Sequence, residues 1–268
     1  VLLVVCLGVF NNRFVEIIYI YSIMKKSNKL IVVICIAIIV ILLFVMNSQH
    51  KPSKKKCASF YSEKSSHAPS ELIRQLTLKF ECDIDPTFKV DKYIYDDKKA
   101  MIGAISGSKL IYHGTADMHQ VIIDTEFNKE KFYGYKVHNG ALKIYKHIKP
   151  QIQNVYIDTV YGYSLGAMVG ALTIFDIYKT QNINVRGYFI GNPPIGEKKF
   201  KNDFNKHLEN VYYTTHPYDY VAQPLLIPVK TWIYRTIFNY YSVGKKVKKF
   251  PYKKKEGQRA FVPHFRYF

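Results

Sequence analysis

The sequence is poor in the residues that build metal centres and redox frameworks. It has four cysteines in 268 residues, none paired as C-x-x-C, and it contains no H-E-x-x-H. Those spacings bring thiolates or imidazoles onto one face of a turn or helix, so their absence excludes the common zinc sites and thioredoxin-type chemistry. A glycine-rich phosphate loop is missing too, which excludes nucleotide binding of the P-loop kind. No cofactor and no metal are therefore expected. Acidic side chains are scarce, 20 against 39 lysines and arginines, for a formal charge of +19. A surplus of that size suits nucleic acid or an anionic membrane surface. No nucleic-acid motif accompanies it, so the membrane surface is the partner expected. Apolar material is not lacking: 48% hydrophobic and 15% aromatic is too much for a disordered chain.

One long apolar run stands near the front. Met24-Lys25-Lys26-Ser27-Asn28-Lys29 reads as a start with a basic n-region, and residues 1–23 as an upstream extension or, through Val1 to Phe10, an additional apolar anchor. Leu30 to Met46 is 17 apolar residues without a break, just long enough to span a bilayer. The Asn47-Ser48-Gln49-His50-Lys51 that follows offers no small-x-small cleavage site, so a single-pass signal anchor is favoured over a cleaved signal. Lysines flank both sides (Lys25, Lys26 and Lys29; Lys51, Lys54, Lys55 and Lys56), and the positive-inside rule leaves the orientation open. The organisation expected is an extension and n-region over 1–29, a span over 30–46, a lysine- and serine-rich linker over 47–69, and one domain over 70–268, lumenal or extracellular. Cys57 and Cys82 flank the start of that domain; they pair if it is exported, or are two unrelated thiols.

Within the domain, Ser70 to Phe80 has the pattern of a helix capped by Ser70, with Leu72, Ile73, Leu76 and Leu78 as its apolar side. Ala100 to Ile105 and Lys109 to His113 read as a strand pair turning at Gly107. Asn154 to Tyr161 is β-branched and aromatic enough for another strand, and Leu165 to Thr180 has helical length, with Gly166, Ala167, Gly170 and Ala171 making a flat side. Between them lies Tyr161-Gly162-Tyr163-Ser164-Leu165-Gly166-Ala167. This is G-x-S-x-G, the spacing of a nucleophile elbow, where a serine occupies a strained turn and only small residues two positions either side let strand and helix approach. The competing reading is a glycine-rich turn with a surface serine. Strand, turn and helix fall where an elbow needs them.

Other motifs follow the same order along the chain. His113-Gly114-Thr115 is succeeded by Val137-His138-Asn139-Gly140, then Ile190-Gly191-Asn192-Pro193-Pro194-Ile195-Gly196 with Phe200, then Asp219 with Val221 and Pro224 after the strand-like Val211 to Thr215. Together these resemble the class 3 (fungal-type) lipases, a branch of the α/β-hydrolase fold. The resemblance implies a mostly parallel sheet flanked by helices and an activity on triacylglycerols and related lipid esters. It also implies that Gly114-Thr115 supplies an oxyanion hole and that Asp219 is the catalytic acid. Three positions depart from the pattern: His113 replaces an arginine, Tyr163 replaces the histidine of G-H-S-L-G, and Ala141 replaces the phenylalanine of H-x-G-F. None removes a catalytic atom.

The chain order of the fold, nucleophile then acid then histidine, permits an elimination. Only His207, His216 and His264 follow Ser164, and only His264 follows Asp219. The expected triad is Ser164, Asp219 and His264, with the backbone N–H groups of Leu165 and Thr115 facing the oxyanion. Asp176, inside the predicted helix, and Asp203, on a lysine-rich stretch, are poorer acids; His138 precedes the nucleophile and reads as a structural hydrogen-bonder. Ala116 to Asp124 carries Met118, Val121 and Ile122 at i, i+3 and i+4, which suits either an amphipathic lid over the serine or a fixed surface helix. The aromatic Val229 to Tyr241 followed by the lysines from Lys245 to Lys255 suits either an anionic membrane contact or a core helix with a solvated loop. The function expected is a membrane-anchored serine ester hydrolase, most simply a triacylglycerol-type lipase. The alternatives are a phospholipase or other carboxylic-ester hydrolase and, from another class, an inactive membrane-tethered lipid-binding module.

Overall fold

A computed structural model of the chain describes residues 68–115, 128–215 and 239–247, all within one compact unit, Pro52–Phe268. The proposed span at Leu30 to Met46, the linker up to residue 67, Cys57, the segment Ala116 to Asp124, Asp219 and His264 lie outside the described residues. Among the described residues no helix is long and apolar enough to cross a membrane.

The elements run α1 (Ala68–Cys82), β1 (Lys92–Tyr95), β2 (Met101–Ser106), β3 (Lys109–Tyr112), β4 (Lys129–Phe132), β5 (Tyr135–His138), α2 (Asn139–Ile152), β6 (Thr159–Tyr163), α3 (Leu165–Gln181), β7 (Arg186–Ile190), α4 (Lys198–His207), β8 (Val211–Thr214) and β9 (Lys245–Lys246). Among the described residues seven strands form one sheet in the order β1-β2-β3-β6-β7-β8-β9, antiparallel across its first two pairings and parallel across the rest. Parallel neighbours need helical crossovers that cover the faces, so such strands become buried on both sides. The middle of this sheet obeys: all five residues of β6 are buried.

Alternate residues feed two cores. Leu110 and Tyr112 of β3, Val160 of β6 and Phe189 of β7 join the larger core with α2, α3 and α4. Ile111, Tyr161, Tyr163 and Ile190 point the other way and meet Ile73 and Leu76 of α1. That alternation is the period of two that a pleated strand imposes. Helix α3 is buried continuously from Leu165 to Asp176, as an apolar helix between a sheet and another helix must be. Its Phe175 stacks with Phe204 of α4 and meets Phe200 edge-on.

Two sequence expectations are corrected. The first helix begins at Ala68, so Ser70 lies inside it and is not its cap. Pro69 fits the first turn, where a missing N–H removes no helical bond. The elbow strand begins at Thr159 rather than Asn154. Its partner β3 starts at Lys109, after the turn at Gly107, so the ladder begins at Lys109 opposite Thr159, with Asp158 N–H bonded to Ser108 O (2.9 Å) just ahead of it. The hairpin of β4 and β5, the edge strand β1 and the lysine-rich α4 have no counterpart in the sequence reading.

Candidate active site

Ser164 sits between β6 and α3 with φ 53° and ψ −121°, a conformation an L-residue holds only under constraint. The constraints are backbone ones. The Ser164 N–H donates to Ile190 O at the end of β7 (3.0 Å), while Ser164 O accepts from the N–H groups of Ala167 (2.9 Å) and Met168 (3.3 Å), starting α3. The flanking glycines make the turn possible. A Cβ on Gly162 would lie 2.5 Å from Gly166 O, and one on Gly166 would lie 2.2 Å from His113 O. Both distances are below any tolerable contact, so strand and helix meet as the sequence pattern predicts.

The turn after β3 lies against the serine. A Cβ on Gly114 would stand 2.7 Å from the Tyr163 ring and 3.2 Å from Ser164 Cβ. Gly114 is thus small because the ring that replaces histidine and the serine both press on it. Thr115 follows at half-buried exposure, and Ser164 is buried. The N–H of Leu165 is among the first four of α3, which have no acceptor within the helix and carry the positive end of its dipole. Ser164, Leu165, Gly114 and Thr115 therefore share one corner at the carboxyl edge of the parallel strands, the edge where α/β folds bind ligands. The chain leaves β8 at Thr215 on this same edge; Asp219, four residues on, and His264 lie outside the described residues.

The rejected acids and bases are engaged elsewhere. Asp176, buried on α3, accepts from Tyr133 Oη (2.6 Å) and Lys149 Nζ (2.9 Å). That arrangement ties the tip of the β4–β5 hairpin and α2 to α3. Burial, then the neighbouring Asp176 carboxylate, pushes the Tyr145 phenol far up, so it stays protonated. Asp203 accepts from Lys179 (3.0 Å) on the α4 surface. Partial burial pushes its carboxyl up, yet hydrogen bonds from Lys179 and Tyr135 outweigh that and hold it below the usual range. His207 faces Asp203 at 3.4 Å and stacks on Tyr178. His138 is the N-cap of α2, its Nδ1 accepting from Ala141 N–H (3.3 Å), which is the structural role expected of it. Asn192 escaped the sequence reading: buried after β7, it donates from Nδ2 to Val243 O (3.1 Å) and accepts at its main-chain oxygen from Ser242 Oγ (3.4 Å). It thereby fastens the loop after β7 to residues 239–247.

Residues 103–228 match the family model described as lipase (class 3). A fungal lipase solved with an inhibitor, the basis of a model for interfacial activation, aligns with TM-score 0.50 at 18% identity, over 70% of this chain and 77% of its own. A triacylglycerol lipase with a serine-protease triad aligns with TM-score 0.47 at 18% identity, covering 73% and 80%. The lipase of Rhizopus microsporus var. chinensis aligns with TM-score 0.48 at 19% identity, covering 74% and 75%. A comparison with curated proteins found no match.

Proposed function

We infer, from a chain that belongs to the class 3 lipase family through residues 103–228, that this serine ester hydrolase acts on triacylglycerol-type lipids with Ser164 as nucleophile, His264 as base and Asp219 as acid. The observation that carries this reading is the strained Ser164 at the head of α3 with Gly114-Thr115 against it. His264 takes the Ser164 hydroxyl proton as Oγ bonds to the ester carbonyl carbon, and the carbonyl oxygen becomes an oxyanion. Thr115 N–H and Leu165 N–H donate to that oxyanion. The tetrahedral intermediate collapses, the alcohol leaves with the proton from His264, and an acyl-serine remains. Water, deprotonated by His264, attacks it; the second tetrahedral intermediate expels Ser164 Oγ, which takes that proton back from His264, and the fatty acid is released. Asp219 holds the imidazole tautomer and stabilises its protonated form.

Catalysis by this route calls for a route to lipid. Residues 116–124 follow the oxyanion turn directly, and the apolar set Met118, Val121 and Ile122 suits a helix that covers the serine in water and docks on lipid instead. A helix this short is unstable alone, so it requires an apolar surface to dock on. Burying three such side chains contributes roughly 5 to 8 kcal/mol before ordering costs, enough to hold a site shut. The expected result is a jump in turnover when a short-chain triacylglycerol passes its solubility limit into emulsion, reduced in Val121→Ser and Ile122→Ser. Smooth saturation through the limit, alike in all three proteins, would remove the lid from this reading. A panel of phospholipid and single-chain esters alongside separates a triacylglycerol lipase from a phospholipase or a general esterase.

The anchor belongs to the same proposal. Leu30 to Met46 has the length of a span, and basic flanks that an anionic membrane surface would draw in. The protein should then stay with membranes through alkaline carbonate extraction. Recovery in the supernatant with an N-terminus beyond residue 46 would replace the anchor with a cleaved signal.

A further inference from the structure

The peptide unit between Gly114 and Thr115 carries, at one end, the N–H assigned above to the oxyanion. At its other end is the Gly114 carbonyl. In a trans peptide these two groups point in opposite directions across one rigid plane. Whatever grips Gly114 O therefore sets where Thr115 N–H points. The group that grips it is the neighbouring imidazole. Nδ1 of His113 lies 2.5 Å from Gly114 O, and its Nε2 is hydrogen-bonded to Met101 O, twelve residues upstream on β2. A carbonyl oxygen offers only lone pairs, so a ring nitrogen bonds there only through its own hydrogen: the neutral ring donates to one of the two carbonyls, and donating to both at once takes the doubly protonated ring. The ring is 3% exposed, and the residue's main chain is fixed on two further sides. Its N–H donates to Ile102 O at 3.2 Å, and its carbonyl abuts Gly166 at the first turn of α3.

We propose that His113 is the positioning residue of the oxyanion hole: by bridging Met101 O and Gly114 O it fixes the Gly114–Thr115 peptide plane and aims Thr115 N–H at the developing oxyanion. The proposal rests on the reading of Ser164 as nucleophile and Thr115 as oxyanion donor. It explains why a buried polar ring stands beside a turn that needs no side-chain chemistry of its own. The strut runs from a sheet strand, which cannot tilt, to a turn, which can. Without it the peptide plane is free to rotate, and the donor is misdirected rather than lost.

The test is steady-state hydrolysis of p-nitrophenyl butyrate, below its solubility limit, by the full chain and by His113→Leu, His113→Gln and His113→Arg. Deleting one oxyanion donor outright lowers turnover about 100- to 1,000-fold, and a misdirected one should cost less. We expect His113→Leu to lose about 10- to 100-fold in kcat with KM within about twofold, because the oxyanion exists only beyond the ground state. His113→Gln, with both hydrogens on one nitrogen, should fall between. His113→Arg, which has several donors in a planar fork, should recover most of the loss. Thermal unfolding of each variant accompanies the kinetics, and if His113→Leu does not fold, the Gln and Arg pair carries the comparison. Unchanged kcat in both Leu and Gln overturns the proposal. So does a loss that tracks the fall in melting temperature, raises KM equally and is not recovered by Arg. Ser164→Ala is assayed in parallel: full activity there means the underlying site is misassigned, whereas its inactivity beside normal His113 variants means only this proposal fails.

Discussion

Ser164→Ala and His264→Ala should each leave ester hydrolysis at background, a loss on the order of 10⁶ in turnover, because the members of a triad act as a unit. The Ser164 variant should in addition lose all labelling by a fluorophosphonate, which needs the nucleophile itself. Asp219→Ala should be milder, since the acid orients and stabilises without bonding to substrate. His264 is assigned by chain order, whereas His207, on α4, is held by Asp203 of the same helix and by the Tyr178 ring of α3. Activity retained in His264→Ala and lost in His207→Ala or His216→Ala would show that the order of the triad here differs from the rest of the fold. A protein with intact folding, no labelling and no hydrolysis at all would be a lipid-binding module that has kept only the architecture.

Gly166→Ala should be among the most damaging single-methyl changes at the described glycines. Alanine is the better helix former by about 1 kcal/mol. Against that gain, the new Cβ would lie 2.2 Å from His113 O, 2.8 Å from Tyr112 Cβ and 2.9 Å from Tyr112 C. Two of those three are backbone atoms at the end of β3, which cannot turn aside as a side-chain tip can. Overpacking of a close-packed site costs about 1 to 3 kcal/mol and occasionally more, so the clash outweighs the propensity. For a domain of this size that is a fall of several degrees in melting temperature. Relief can come only by pushing β3's end and the oxyanion turn away from the serine, so turnover should drop as well, by tenfold or more. Gly170→Ala is the control. Its Cβ would meet the Phe189 ring at 2.8 Å and a Val160 methyl at 3.1 Å, side-chain atoms rather than the backbone of the oxyanion turn. It should lose stability with turnover nearly intact. Equal stability of Gly166→Ala and the parent would refute the contact.

What could be read from the sequence was local. Gly162, Ser164 and Gly166 lie within five residues, so the tight approach they create is written in one stretch. β3, β6 and β8 were visible as β-branched and aromatic runs because parallel central strands are apolar on both faces. The hairpin of β4 and β5 was not, since Lys129-Glu130-Lys131-Phe132 and Tyr135-Lys136-Val137-His138 are half-exposed edge strands whose alternation is short and broken by lysines. α4 hid for a similar reason: of its ten residues only Phe200 and Phe204 are buried. The role of His113 was out of reach altogether. It depends on a carbonyl twelve residues upstream and on an adjacent peptide plane, neither of which leaves a mark on residue type.

The elbow also bears on when the protein becomes reactive. The positive φ at Ser164 is held by a bond to Ile190 O, 26 positions along the chain, and by contact of Gly166 with His113, 53 positions back. Contacts of such separation close late, because the loop entropy they cost must be overcome first. Strain of about 1 to 3 kcal/mol has no support until they do. With Ser164 as the nucleophile proposed above, a nascent chain with β6 and α3 made but β7 still undocked would carry an ordinary, unreactive serine. On that proposal the closing of the sheet switches the chemistry on, and incomplete molecules would be silent ones.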